Sequence, residues 1–197
     1  MYRLFYNHEN VGDVLFVVLD AHAYPDQSKS VGDVTALYKD GKLIGVNLFN
    51  ITDTMKLKVQ GMIVSPDDKL IDVINSLLAQ ADIPALPYCR DSGYKVAVVK
   101  TIEEHPLDER SSILTLDLGD HELQTVTRYH NFEVGSALVV AIDGCIKFDG
   151  TLFEKKVVRN IAIDCEVCCE ADLRIGEEYK AAFLPETHIA GSDFFLQ

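Results

Sequence analysis

The densest group of reactive side chains in the chain is Cys165-x-x-Cys168-Cys169. Thiolates at that spacing form half of a structural zinc site, and tetrahedral zinc takes four ligands, usually from two such pairs. There is no second pair, because Cys89 and Cys145 stand alone. The cysteines therefore read as small inert thiols, and neither a metal nor any other cofactor is expected. His105 has the side chain of a general base, but it precedes Pro106 in a polar turn with no nucleophile at readable spacing. Glu103-Glu104 and Asp67-Asp68 are adjacent in sequence. In an extended segment such neighbours point to opposite faces, and at a helix start they complement the dipole, so neither makes an acid/base pair. No glycine-rich phosphate loop of either common pattern is present. No catalytic residue is assigned, and the chain is expected not to be an enzyme.

The elements that must position any site are many and short. At 197 residues the chain has room for one large or two small domains. Nearly half of it is apolar, so a core is easily built. The net charge of −13 argues against a surface that grips phosphate broadly. Five cysteines, no signal-like N-terminus and no membrane-length apolar run imply reduced thiols, a cytoplasmic location and no membrane partner.

Along the chain, Met1 to Tyr6 and Val11 to Leu19 read as strands, and Ala21 to Ser30 as a loop. Thr35–Lys39 and Leu43–Phe49 form a hairpin about Asp40-Gly41. Leu57–Val64 is a further strand. Ser65-Pro66-Asp67-Asp68 starts a helix with Ser65 as cap, and Leu70, Ile71, Ile74, Leu77, Leu78 and Ala81 form its apolar stripe. The Pro-containing stretch up to Gly93 reads as a linker. Beyond it, Val96–Val99, Ser112–Leu118, Leu123–Thr127 and Ala137–Ala141 are strands with tight turns, including Gly119-Asp120. Leu152–Val158 suggests further short strands, and Tyr179–Leu184 a closing one. The fold class is α+β: an N-terminal sheet-plus-helix domain, residues 1–92, followed by a β-barrel domain, residues 93–197.

The order of pieces in the second half resembles the tRNA-binding oligonucleotide-binding (OB) fold domain of the phenylalanyl-tRNA synthetase beta chain and of endothelial monocyte-activating polypeptide. The pieces are Val98-Val99-Lys100, His105-Pro106, Leu116-Asp117-Leu118-Gly119, Leu123-Gln124-Thr125-Val126, Asn131, Val134-Gly135 and Val139-Val140-Ala141. Gly144, Gly150, Arg159, Cys168 and the ending Leu184-Pro185-Glu186 with Gly191-Ser192-Asp193-Phe194 complete it. The sheet-plus-helix ahead of the barrel resembles the N-terminal module of YtpR-type proteins. The match departs at Arg128-Tyr129-His130, and again where Asn160, Ile163, Cys165 and Glu166 replace two glycines, a serine and a methionine of the family's RNA-contacting face. Glu166 in that face would repel phosphate.

The resemblance implies a non-catalytic protein that binds tRNA or another structured RNA through the barrel. It also implies a structural His105-Pro106 and a plausible homodimer. The nucleic-acid-binding residues are expected to be Arg128, His130, Asn131, Lys155, Lys156 and Arg159, with binding weak and salt-sensitive on so acidic a body. His130 would either stack or touch phosphate, or be an ordinary exposed histidine, and Gln124 would hold its loop. The alternative is a protein-interaction or self-association module on a barrel that has lost its affinity for RNA.

Overall fold

A computed structural model describes residues 2–88 and 91–196; Cys89 and part of the expected linker lie outside them. The chain divides into two compact units, Met1–Arg90 and Asp91–Gln197.

In the first unit the strands are β1 (Arg3–Tyr6), β2 (Val14–Val18), β3 (Gln27–Val31), β4 (Val34–Lys39), β5 (Lys42–Phe49) and β6 (Gly61–Ile63). They form one antiparallel sheet in the order β3-β4-β5-β2-β1-β6. A four-residue helix, α1 (His8–Val11), precedes β2, so the strand expected from Val11 begins only at Val14. The expected hairpin about Asp40-Gly41 is present, with positive φ at both residues and Lys39 paired to Lys42.

The other helix of this unit, α2 (Asp68–Gln80), buries Leu70, Ile71, Ile74 and Leu78. Its cap is Asp67 rather than Ser65: the Asp67 carboxylate accepts from the Leu70 N–H at 2.8 Å. A residue before proline is held extended, which pushes the helix start past Pro66. The segment expected as a loop contains β3. All five of its residues are exposed, and it lies at the sheet edge, so no apolar alternation marks it. The strand expected over Leu57–Val64 is reduced to Gly61–Ile63.

The second unit is the barrel. Its sheet runs β13 (Cys165–Val167), β10 (Ala137–Ile142), β7 (Tyr94–Glu104), β8 (Ser112–Asp117), β9 (Glu122–Thr127). Numbered among the five strands of this sheet the order is 5-4-1-2-3, and β9 lies back against β13. The sheet therefore closes almost completely into a five-stranded OB-type barrel. β7 serves both halves, pairing with β10 through Tyr94–Val98 and with β8 through Val98–Glu104. A bulge at Lys100 lets it bend between them. Inward positions alternate as expected: Leu114, Leu116 and Leu118 join Ala97, Val99, Leu138, Val140 and Val167 in the core. The two-residue turn Gly119-Asp120 has positive φ only at Gly119, the type II′ form, and the Leu118 N–H donates to the His121 carbonyl.

Closure differs from expectation in one respect. Tyr179–Leu184 forms no strand, and the closing strand is the cysteine-rich segment at β13. Cys165 and Val167 point inward there, and both are buried. Of Leu152–Val158 only Lys156–Val158 is strand, with a single bridge from Leu152 to Ile146.

The chain end is tied down at the start of β7. Asp193 accepts from the Ser92 N–H at 2.8 Å, from Ser92 Oγ at 2.7 Å and from Lys95 Nζ at 3.2 Å. Beside it, Gly191 (φ +80) passes so close to Leu118 that a Cβ would collide with the Leu118 carbonyl oxygen. Gly135 (φ +91) has open space around it. Gly191→Ala and Gly135→Ala therefore share the left-handed backbone penalty of about 1–2 kcal/mol, and only the first adds a collision. In thermal melts, Gly191→Ala is expected to lower the barrel's Tm by several degrees more than Gly135→Ala, on the order of 2–4 °C per kcal/mol. Equal shifts would contradict the close approach.

Candidate nucleic-acid interface

Two segments frame a groove at one end of the barrel. The first is the loop 105–111 between β7 and β8. Pro106 ends the strand pairing, and the Leu107 N–H donates to His105 Nδ1 at 3.2 Å, so His105 holds the turn. Asp108 organises the rest. Its carboxylate accepts from the Arg110 N–H at 3.2 Å, from Ser111 Oγ at 2.8 Å and from Arg128 Nη2 at 3.1 Å. These bonds, Ser111 first, hold the Asp108 carboxyl down from the usual 3.8 to about 2.

The second is a hairpin of β11 (Lys156–Val158) and β12 (Ile161–Ile163) in the connection between β10 and β13. Its turn is Arg159-Asn160, with φ of 51 and 67. A two-residue turn with both φ positive favours Asn and Gly. Asn160 suits it, whereas Arg159 sits there at a cost on the order of 1 kcal/mol or more.

The groove between loop and hairpin has a volume of about 480 Å³ and is lined by both segments, by Val126 and Thr127 at the end of β9 and by Arg128 just after it. It brings together Arg128 and Arg159, residues 31 apart in sequence. Lys156 pairs across the hairpin with Ile163, a lining residue, and therefore shares its face. Exposed apolar side chains flank the cations: Leu107 at 64% and Val158 at 46%, with Val157 at 71% on the opposite face of β11. The lining contains no Phe, Tyr or Trp.

The other expected site residues are placed differently. His130 stands beside the loop, with Nε2 3.2 Å from the Arg110 carbonyl oxygen, to which it donates when that nitrogen is protonated. Asn131 uses both ends of its amide as a brace, donating to the Ala182 carbonyl at 2.9 Å and accepting from the Ala182 N–H at 2.8 Å. Lys155 faces a separate cavity of about 730 Å³ at the other end of β8, with Asp143, Asp164 and His121. Its backbone N–H donates to Asp143 at 2.8 Å.

Glu166, expected to repel phosphate, is matched by Lys147 at 3.0 and 3.1 Å and does not line the groove. Cys165, Cys168 and Cys169 are buried. Burial raises the Cys165 thiol to about 12 and Cys168 well above its usual value, which disfavours the thiolate a metal needs. Among the described residues, no three His, Cys, Asp or Glu side chains are grouped to hold a metal ion. No described helix is long and apolar enough to cross a membrane.

Sequence reasoning missed Asp108 and the apolar flank. The run Asp108-Glu109-Arg110-Ser111 after a proline carries a side-chain-to-backbone turn signal that marks the loop, but nothing in it indicates that Arg128 is the partner.

A family model described as a domain of unknown function (DUF4479) matches residues 22–86. The "Putative tRNA-binding protein YtpR" of Bacillus subtilis is 24% identical over 172 residues, 86% of each chain. The chain is similar to that protein over most of its length. The phenylalanine–tRNA ligase beta subunit of Desulfotalea psychrophila is 28% identical over 127 residues, and that of Novosphingobium aromaticivorans 31% over 89 residues. Those matches cover 64% and 44% of this chain but only 16% and 11% of the ligase subunits. The likeness to YtpR thus runs through both units, while that to the ligases concerns a small part of much longer chains.

Asp108 supplies a pH test of the loop. A folded-state value below the unfolded one contributes stability above about pH 4 that is lost as pH falls toward 2. In a carboxyl NMR titration Asp108 is expected to titrate near 2, with the loop amides shifting in step. A midpoint near the usual 3.8 would contradict the arrangement around Arg128 and Ser111.

Proposed function

We propose that the groove binds the phosphate backbone of tRNA, without catalysis, and that the protein acts in the cytoplasm. The observation that carries this reading is that Arg128 and Arg159 meet in one groove. That groove is framed by the β7–β8 loop and the hairpin ahead of the last strand, the two connections from which OB barrels bind oligonucleotides. The names of the relatives, one tRNA-binding and the others tRNA ligase subunits, support tRNA as the RNA.

Recognition is by charge and shape. With no large aromatic ring in the lining there is no platform for splayed bases, so a structured RNA fits better than a flexible single strand. Arg128, Arg159 and Lys156 make about three phosphate contacts on an acidic body, and His130 adds a polar edge at the rim. Lys155 would reach a strand only where it continues past the hairpin. Asn131 serves by bracing the segment after β9. Pairing of two copies, as expected of the family, would double the contacts on one RNA.

The second reading, a protein-binding module, is favoured by one observation: exposed Leu107 and Val158 give the groove an apolar flank that phosphate does not use.

Equilibrium binding of an unmodified tRNA transcript to the full chain at about 50 and about 150 mM salt separates the two. Three contacts are expected to cost roughly tenfold to twentyfold in affinity over that range. Arg159→Glu, which leaves the core untouched, is expected to abolish binding at both. Binding absent at the lower salt, or indifferent to Arg159→Glu, would overturn the RNA reading and favour a protein partner.

A further inference from the structure

We propose that Asp108 is a built-in competitor of the RNA: its carboxylate occupies the place of a phosphate on Arg128, and a ligand must displace it. The inference rests on the reading of the groove as an RNA site. Asp108 lines that groove, and its Oδ2 takes the Arg128 Nη2 bond at 3.1 Å. Arg110 Nε lies 3.8 Å from the other oxygen, Oδ1. A carboxylate hydrogen-bonded to one guanidinium, with a second 3.8 Å away, stands where those groups would meet a phosphate.

The carboxylate is not free to swing aside. The Arg110 N–H binds Oδ1, Ser111 Oγ binds Oδ2, and the Ser111 N–H donates to the Asp108 carbonyl at 2.9 Å. Asp108 is thus fixed by its own loop, independently of Arg128. Arg128 is 69% exposed at its side chain and reaches the carboxylate across 20 residues of sequence. Of the two partners, Arg128 is the one that can turn outward. With its low pKa, Asp108 stays charged wherever RNA is stable, so the competition is permanent rather than switched by pH.

The consequence for a ligand is a threshold. An anion contacting only Arg128 gains little, because it exchanges one carboxylate for one phosphate. A ligand that also reaches Arg159 and Lys156, neither of which is held by Asp108, gains net contacts. Asp108 therefore sets a minimum length for the bound backbone and lowers affinity for isolated anions.

The test is tRNA binding by the full chain carrying Asp108→Asn, beside Glu109→Gln. Both remove one negative charge from the same loop, but only Asp108 touches Arg128. Asp108→Asn is expected to tighten binding roughly three- to tenfold and to steepen the salt dependence by about one phosphate contact, a slope change of about 0.7–0.9. Glu109→Gln is expected to change affinity by less than about twofold. Asp108→Ser, which keeps a short hydroxyl acceptor for the Arg110 N–H, is expected to behave like Asp108→Asn and covers the case in which that variant does not fold. Equal gains from Asp108→Asn and Glu109→Gln would overturn the competitor role, leaving only general charge. Wild-type binding unchanged by either Asp108 variant would overturn it while leaving the RNA reading intact. No binding by wild type or any variant would overturn both.

Discussion

The closing seam of the barrel is the constraint on which the candidate site depends. A five-stranded sheet leaves backbone groups unpaired along its two edges, and a curled sheet must satisfy them where the edges meet. Here side chains make most of the junction. Gln124 Oε1 accepts from the Ala162 N–H at 3.0 Å, and the Asp164 carboxylate accepts from the Gln124 N–H at 3.0 Å. The Gln124 carbonyl accepts from the Asp164 N–H at 2.8 Å, and buried Thr125 donates to the Cys165 carbonyl at 2.5 Å. Because β12 is pinned to β9 this way, the hairpin turn at Arg159 is held against the end of β9, where Arg128 follows. The same bonds that close the cylinder place Arg128 and Arg159 along one groove.

Charge then decides how much that groove can do. The chain as a whole is strongly acidic, so any attraction for a polyanion is local and short-ranged. Several cations near the barrel are already neutralised: Lys147 by Glu166, Lys95 by Asp91 and Asp193, Lys100 by Glu122. Arg128 is partly neutralised by Asp108, while Arg159 sits on a turn whose backbone would prefer another residue.

Much of the barrel was legible because period-two alternation is strong where one face is buried. Leu114, Leu116 and Leu118 read correctly, as did the Gly119-Asp120 and Asp40-Gly41 turns, whose backbone demands are local. What was not legible lacked such a signal. The exposed edge strand Gln27–Val31 has no buried face, and the closing strand Cys165–Val167 is three residues of mixed type that looked like a thiol cluster. Of the site, the types and positions of Arg128 and Arg159 could be read, but their meeting depends on the seam. Glu166 looked repulsive because its partner Lys147 lies 19 residues away. Asn131 was expected among the nucleic-acid-binding residues, and its bond to Ala182, 51 residues away, is not visible in the sequence.

The most direct test is to map, residue by residue on the labelled full chain, which amide signals move when tRNA is added. The account predicts a cluster at Asp108–Ser111, Arg128 and Val158–Ile161, with the opposite end of the barrel at Gly119–His121 and Ala190–Gly191 unmoved. Shifts concentrated at that opposite end, or confined to the first unit, would contradict it.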